Sequence, residues 1–286
     1  MKKLLVTSGC SYSAYGGDWP FLLKHHYNYD LYNLALPSVG NDWIYRSVVY
    51  GVNTALKQGI QPKDIIVSVL WTHVDRKSFY ITKKDTPNWE LLINELFGTH
   101  LHVRNPANFL EIKFGTHGND YVHTGKPVKL PSAWIVGNAA KATYPDANKF
   151  LNKVNELDKY KIPYYENFHT EEGLFLETIE NILGLQWFCK AMGITLINQS
   201  YIDLFYYPEY DFFNSNEKRN HITTTYPHLS YLYDMIDFST WVPVGLHEFT
   251  RNHNLGFPDT VHPSNIAHRK YTNEILIPKF NEVVTV

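Results

Sequence analysis

Two short segments near opposite ends of the chain hold the residues best suited to nucleophilic chemistry. The first, Ser8-Gly9-Cys10-Ser11-Tyr12-Ser13, comes after a β-branched apolar run, Lys3 to Thr7. The second, Asp259-Thr260-Val261-His262-Pro263, precedes a helical pattern. A serine hydroxyl is a weak nucleophile until a base takes its proton. The base that suits it is an imidazole held in one tautomer by a carboxylate or a carbonyl. Asp259 and His262, in one turn, can both point into one cleft. Ser11 as nucleophile, His262 as base and Asp259 as the group that orients His262 form the first candidate set. Each segment also has an ordinary explanation: a serine capping a turn, and a helix cap followed by a solvent-facing histidine. Cys10 shares the loop and is a second candidate nucleophile. Gly9 permits a sharp turn, which puts Ser11 at the mouth of a following helix, where its N–H and the helix dipole would favour an oxyanion.

Residues so far apart meet only if the fold brings both ends of the chain to one edge. Lys3 to Thr7 reads as a buried first strand, Leu31 to Leu34 as a second, Asp64 to Leu70 as a third and Ile194 to Asn198 as a later one. Helical spacing separates them. Asp18-Trp19-Pro20 opens one helix, with Asp18 or Trp19 as cap. Asn41 or Asp42 caps the next, with Ile44, Val48, Val52, Ala55 and Leu56 on one stripe and Gly59 at its C-terminal end. Glu172 to Met192 carries Phe175, Ile179, Ile182, Leu183 and Phe188 before Gly193. Ser264 to Glu282 is the terminal helix, bent near Pro278. Strands alternating with helices predict a parallel sheet covered on both faces. Ligands bind beyond the carboxyl ends of such strands, where the candidate segments fall. Residues 77–170 break the pattern with polar helical fragments, turns and many aromatics. They are expected to form a long, partly helical insertion, a lid or cap, within one domain spanning 1–286. Residues 201–258 are aromatic and loop-rich, and Tyr201 to Phe213 either line the cleft or pack the core.

Gly9-Cys10-Ser11 after the first strand, with Asp259-x-x-His262-Pro263 before the last helix, resembles the SGNH (GDSL-like) hydrolase superfamily. The likeness covers the two ends and the first 76 residues. It is similar in particular to divergent, often phage-borne members that carry Gly-Cys-Ser in place of Gly-Asp-Ser. The resemblance implies a flavodoxin-like three-layer α/β/α sandwich around a central parallel sheet. It also implies a serine ester hydrolase of the esterase, lipase or thioesterase type, or a carbohydrate O-acetyl hydrolase or transferase. The triad would be Ser11, His262 and Asp259, working through an acyl-enzyme. Asn33-Leu34-Ala35-Leu36-Pro37-Ser38-Val39-Gly40-Asn41 is similar to the family's second block, whose oxyanion-hole glycine falls by register on Ser38. Trp71-Thr72-His73-Val74-Asp75-Arg76 occupies the place of its Gly-x-Asn-Asp block, with His73 where the oxyanion-binding Asn would stand. The oxyanion hole is thus expected from Ser11, Ser38 and His73. Thr72, Asn41 and Arg76 are the expected substrate-binding residues, and Asp75-Arg76 also reads as a local ion pair. A histidine does not copy an amide, and losing one oxyanion donor costs about 2.7–4 kcal/mol of barrier.

Composition bounds the alternatives. The 286-residue chain has a formal charge of −2, so no basic surplus exists to neutralise phosphates and nucleic-acid binding is not expected. Neither G-x-G-x-x-G nor G-x-x-x-x-G-K-[ST] is present, which argues against a nucleotide-binding doubly wound protein. The 14 histidines show no metal-ligand spacing. His100, His102, His117 and His123 cluster but read as surface or packing residues. No metal and no cofactor are expected. Cys10 and Cys189 imply no disulfide framework. The apolar stretch Leu4 to Val6 is too short for a signal peptide, and no apolar run reaches the roughly 18 residues of a membrane span. A cytoplasmic protein is the expectation. The 21 Tyr, 16 Phe and 7 Trp lean towards a small-molecule or carbohydrate ester as substrate. The missing amide and the long insertion motivate a reading from another class: an SGNH-fold binding or structural module, glycan-binding or virion-associated, with weakened chemistry.

Overall fold

A computed structural model describes residues 2–14, 17–36, 39–74, 76–82, 132–138, 164, 167–168, 170–206, 221–258 and 262–284. In chain order the elements are β1 (Leu4–Ser8), α1 (Trp19–Tyr27), β2 (Asp30–Asn33), α2 (Asn41–Lys57), β3 (Ile65–Trp71), β4 (Arg76–Thr82), β5 (Ser132–Asn138), α3 (Glu171–Met192) and β6 (Thr195–Ser200). The short helices α4 (Ile222–Thr225), α5 (Ser230–Tyr233) and α6 (Leu246–Asn252) come next, then α7 (Asn265–Tyr271) and α8 (Ile277–Val284).

Four strands make a parallel sheet in the order β2-β1-β3-β6, with helices on both sides. Strand periodicity explains the two-sided cover, because successive side chains point to opposite faces. Leu4, Val6, Ile65, Val67, Val69, Trp71 and Leu196 pack with residues of α2 and α3 in one core. Leu5, Ile66, Leu70 and Ile197 pack on the other face with Trp19 and Leu23 of α1, Leu246 and Phe249 of α6, Tyr271 of α7 and Phe280 of α8. Burying each such side chain stabilises the fold by roughly 1.5–3 kcal/mol. A slip of one residue would exchange the two faces, and since both are apolar the helices on each side must fix the register.

The helix ends obey local chemistry. Thr170 caps α3, its side chain accepting from the Gly173 N–H, and Gly193 ends it at φ 67°. Phe188 on the expected stripe is half-buried, while Leu174, Thr178, Leu185 and Cys189 join the buried set. The cap of α2 is Gly40, not Asn41 or Asp42, because both of those side chains bond elsewhere. The C-terminal helix is not one bent rod. A π-helical turn, Thr272–Leu276, separates α7 from α8. Pro278 has no N–H to give and its ring crowds the carbonyl four residues back, so the hydrogen-bond ladder widens just before it.

Within the expected insertion, β4 and β5 pair antiparallel as a separate two-stranded sheet. The helical fragments expected from this sequence are strand where β4 and β5 run; most of the remaining insertion lies outside the described residues. Cys10 and Cys189 are free and buried, and burial pushes the Cys189 thiol up to about 12. Among the described residues no helix is long and apolar enough to cross a membrane.

Candidate active site

The strand order reverses at β1 and β3. The chain leaves β1 for β2 on one side, and later leaves β3 towards β6 on the other. Connections that diverge in this way leave a crevice beyond the strands' carboxyl ends. Ser11 lies just past β1, and Thr72 and His73 lie just past β3.

The turn that carries Ser11 is tightly built. A side chain at Gly9 would put its Cβ 2.5 Å from Ser13 Oγ and 3.2 Å from Leu70 Cβ, so only glycine fits. Ser13 Oγ accepts from the Trp19 indole N–H at 2.9 Å. Asn33 braces the loop from the side: its Nδ2 donates to the Ser13 carbonyl at 2.7 Å, and its Oδ1 accepts from Thr7 Oγ1 at 3.1 Å. Ser11 opens a short 3-10 turn, Ser11–Ser13, and the first α-helix begins only at Trp19. The helix dipole expected behind Ser11 is therefore not available: the residues after Ser11 form a 3-10 turn in which the Ser13 N–H bonds the Cys10 carbonyl at 3.0 Å. Cys10 packs in the core beside Leu5 and Leu70 rather than at the crevice.

His262 comes to Ser11 from the far end of the chain. Its Nε2 lies 2.8 Å from Ser11 Oγ, across 251 residues of sequence. With the ring's proton on Nδ1, Nε2 accepts the hydroxyl hydrogen. Position comes from the start of α7. Ser264 Oγ accepts from the Ala267 N–H at 3.1 Å and donates to the Leu255 carbonyl at 2.7 Å. Tyr12 packs edge-on to the His262 ring with centroids 5.4 Å apart. Asp259 and Ser38 lie outside the described residues.

The wall after β3 is organised by Asn41. Its Oδ1 accepts from the Thr72 N–H at 2.8 Å, and its Nδ2 donates to the Thr72 carbonyl at 3.1 Å and to Thr178 Oγ1 at 3.2 Å. Asn41 is 3% exposed, so this amide serves the protein interior. Thr72 is fully buried, and its Oγ1 accepts from Arg76 Nη1 at 2.9 Å. His73 is half-buried at the crevice end of β3, and its carbonyl accepts from the Arg76 N–H at 3.3 Å. Asp75 lies outside the described residues.

Several neighbours of the pair carry no motif of their own. Tyr201, just past β6, meets Tyr12 edge-on at 5.1 Å. His247 opens from α6 beside Tyr201 and stacks obliquely on Phe257 at 4.8 Å. His268 sits in α7 below His262, with Nε2 3.4 Å from Asp18 Oδ1 and a buried Nδ1 that has no hydrogen-bond partner. Burial, then the charge of His262, pushes His268 down to about 4, so it is neutral at physiological pH. The nearby Asp18 carboxylate favours the imidazolium, but the desolvation cost prevails at this depth. Asp42, one residue after Asn41, accepts from the Ser78 N–H at 3.3 Å. Burial raises it to about 6, against the pull of Lys77. Among the described residues no three His, Cys, Asp or Glu side chains could share a metal ion, and the insertion histidines lie outside them.

Neither a family model nor a curated protein sequence matches this chain.

Proposed function

We propose that the protein is a serine ester hydrolase or acyltransferase of the SGNH type, with Ser11 as nucleophile and His262 as base. The observation that carries this reading is the 2.8 Å contact between Ser11 Oγ and His262 Nε2 at the point where the strand order reverses. A hydroxyl aimed at an imidazole in a crevice is the arrangement that nucleophilic acyl chemistry needs. The order β2-β1-β3-β6 is also the start of the flavodoxin-like doubly wound order, which supports the three-layer sandwich and a single domain with its insertion after β3.

Ser11 Oγ attacks an acyl carbonyl while His262 Nε2 takes its proton. The tetrahedral oxyanion is held by the Ser11 and Ser38 N–H groups, with His73 as the side-chain donor in place of an amide. Collapse breaks the ester bond, and His262 returns the proton to the leaving alcohol. Water or an acceptor hydroxyl then gives its proton to His262 and attacks the acyl-serine, which restores Ser11. Asp259, carried over from its spacing to His262, orients the imidazole and favours its charged form. No metal or cofactor takes part.

Hydrolysis of short-chain aryl esters tests the reading. Ser11→Ala and His262→Ala are expected to lower kcat/KM by at least about 10³-fold while remaining folded. Folded wild-type protein that turns over no ester would turn attention to glycan binding.

A further inference from the structure

The three-residue turn that carries Ser11 does not hold its own shape. Its bonds run from the Ser13 N–H to the Cys10 carbonyl at 3.0 Å and from the Ala14 N–H to the Ser11 carbonyl at 3.4 Å. A 3-10 turn has poorer hydrogen-bond geometry than an α-helix, so its surroundings must keep it. Trp19 and Asn33 do so at Ser13, which is fully buried. The Trp19 indole donates to the Ser13 hydroxyl, and Asn33 Nδ2 donates to the Ser13 carbonyl at 2.7 Å.

Asn33 is the last residue of β2 and lies beside Thr7 of β1 in the parallel register. Its Oδ1 accepts from Thr7 Oγ1 at 3.1 Å and from the Ala35 N–H at 3.2 Å. The ladder runs on beyond it, with the Leu34 N–H on the Thr7 carbonyl at 2.8 Å and the Leu36 N–H on the Gly9 carbonyl at 3.0 Å. One amide thus bonds the end of β1, the chain that leaves β2 and the nucleophile turn. Leu36 stands two residues before Ser38 in the sequence, so the turn is bonded to the segment that leads to a proposed oxyanion donor.

These partners fix the orientation of the amide. With Oδ1 and Nδ2 exchanged, an oxygen would face the Ser13 carbonyl and an NH2 group would face the Ala35 N–H. The position needs a side chain of this length that donates on one side and accepts on the other. An ionised aspartate cannot donate, and glutamine carries its amide one methylene further out.

We propose that Asn33 is a positioning residue for the reaction: by holding the Ser13 carbonyl it keeps Ser11 Oγ in line with His262 Nε2. It acts through Ser13 and not on the substrate. This inference rests on the ester-hydrolase reading of Ser11 and His262.

The test compares Asn33→Ala, Asn33→Asp and Thr7→Val with wild type, each at a temperature at which circular dichroism shows it folded. The readouts are kcat and KM for a short-chain aryl ester and the rate at which a fluorophosphonate modifies Ser11. Asn33→Asp keeps the size and the acceptor oxygen and loses only the donor to Ser13, so it gives the answer if Asn33→Ala does not fold. Both Asn33 variants should lower kcat and the labelling rate together by about 10- to 100-fold, with KM within about threefold of wild type. Thr7→Val leaves the Ala35 N–H to orient the amide and should cost no more than about threefold in kcat. An amide with only a structural role would lower Tm and leave both rates unchanged. Wild-type kcat in the folded Asn33 variants, or a loss confined to KM, overturns the inference while the hydrolase reading stands. A loss in Thr7→Val as large as in Asn33→Ala also overturns it, because the effect would then lie at β1 rather than at the Ser13 carbonyl. Wild-type protein that cleaves no ester and takes no label on Ser11 overturns both.

Discussion

Replacing Asn41 with alanine removes an amide that bonds both main-chain groups of Thr72, and the structure sets the expected damage. The Thr72 N–H and C=O lose their partners in a fully buried position. Each buried group left unsatisfied costs about 1–3 kcal/mol, so the pair costs about 2–6 kcal/mol. The Thr178 hydroxyl adds little, because in a helix it can turn to a carbonyl of the preceding turn. For a protein of this size the loss corresponds to a Tm lower by about 5–15 °C. Thermal and urea melts of Asn41→Ala read it directly, with Thr178→Val as a control expected to cost no more than about 1 kcal/mol. Because Thr72 precedes His73 and supports Arg76, kcat should fall with stability. A Tm within about 2 °C of wild type, with a raised KM instead, would show that the amide meets substrate rather than Thr72 and would refute the reasoning.

Two buried groups should give opposite dependences on pH. His268 is pushed from 6.5 down to about 4, so the unfolded chain takes up a proton first as pH falls. Its neutral form contributes stability that is complete above about pH 6.5 and is lost towards pH 4, about 3 kcal/mol in all. His268→Gln should flatten that acid limb in urea melts, and curves parallel to wild type would count against a buried neutral ring. Asp42 is raised from 3.8 to about 6, so its contribution is present below about pH 3.8 and is lost as pH rises through 6. Asp42→Asn should therefore gain stability relative to wild type between pH 4 and 7, by up to about 3 kcal/mol, and a difference that does not vary with pH would sink the assignment.

Much of the sheet could be read from the sequence because its strands are apolar on both faces. Ile65 to Trp71 is buried at every position, and such a run has few other homes. The long helix α3 was equally legible, from its apolar stripe and from Gly193 at its end, while its Thr170 cap went unread. The pairing of Ser11 with His262 could be anticipated from residue types and from two segments falling after a first strand and before a last helix. The features that escaped have specific causes. Arg76 to Thr82 mixes charged, hydroxylated and aromatic residues without clean alternation, so nothing marked β4 as a strand. Asn41 and Asp42 looked like helix caps because cap chemistry and loop-bracing chemistry use the same residues, and only tertiary contacts decide between them. Asn33 and His247 act through long-range contacts that carry no local pattern, and so do the contacts that bring Tyr201 and His268 to the site. The 3-10 turn at Ser11 was not foreseen, because its closure on the Cys10 carbonyl and the close approach of Gly9 to Ser13 and to Leu70 of a neighbouring strand are tertiary features.

An activated Ser11 is the centre of the account, and a fluorophosphonate probe with mass-spectrometric location of the adduct tests it most directly. One covalent adduct, on Ser11, is expected to form in the wild type, to be absent in Ser11→Ala and to form at least about 10²-fold more slowly in His262→Ala. Folded wild-type protein that takes up no probe, or a probe found on another residue, would contradict it.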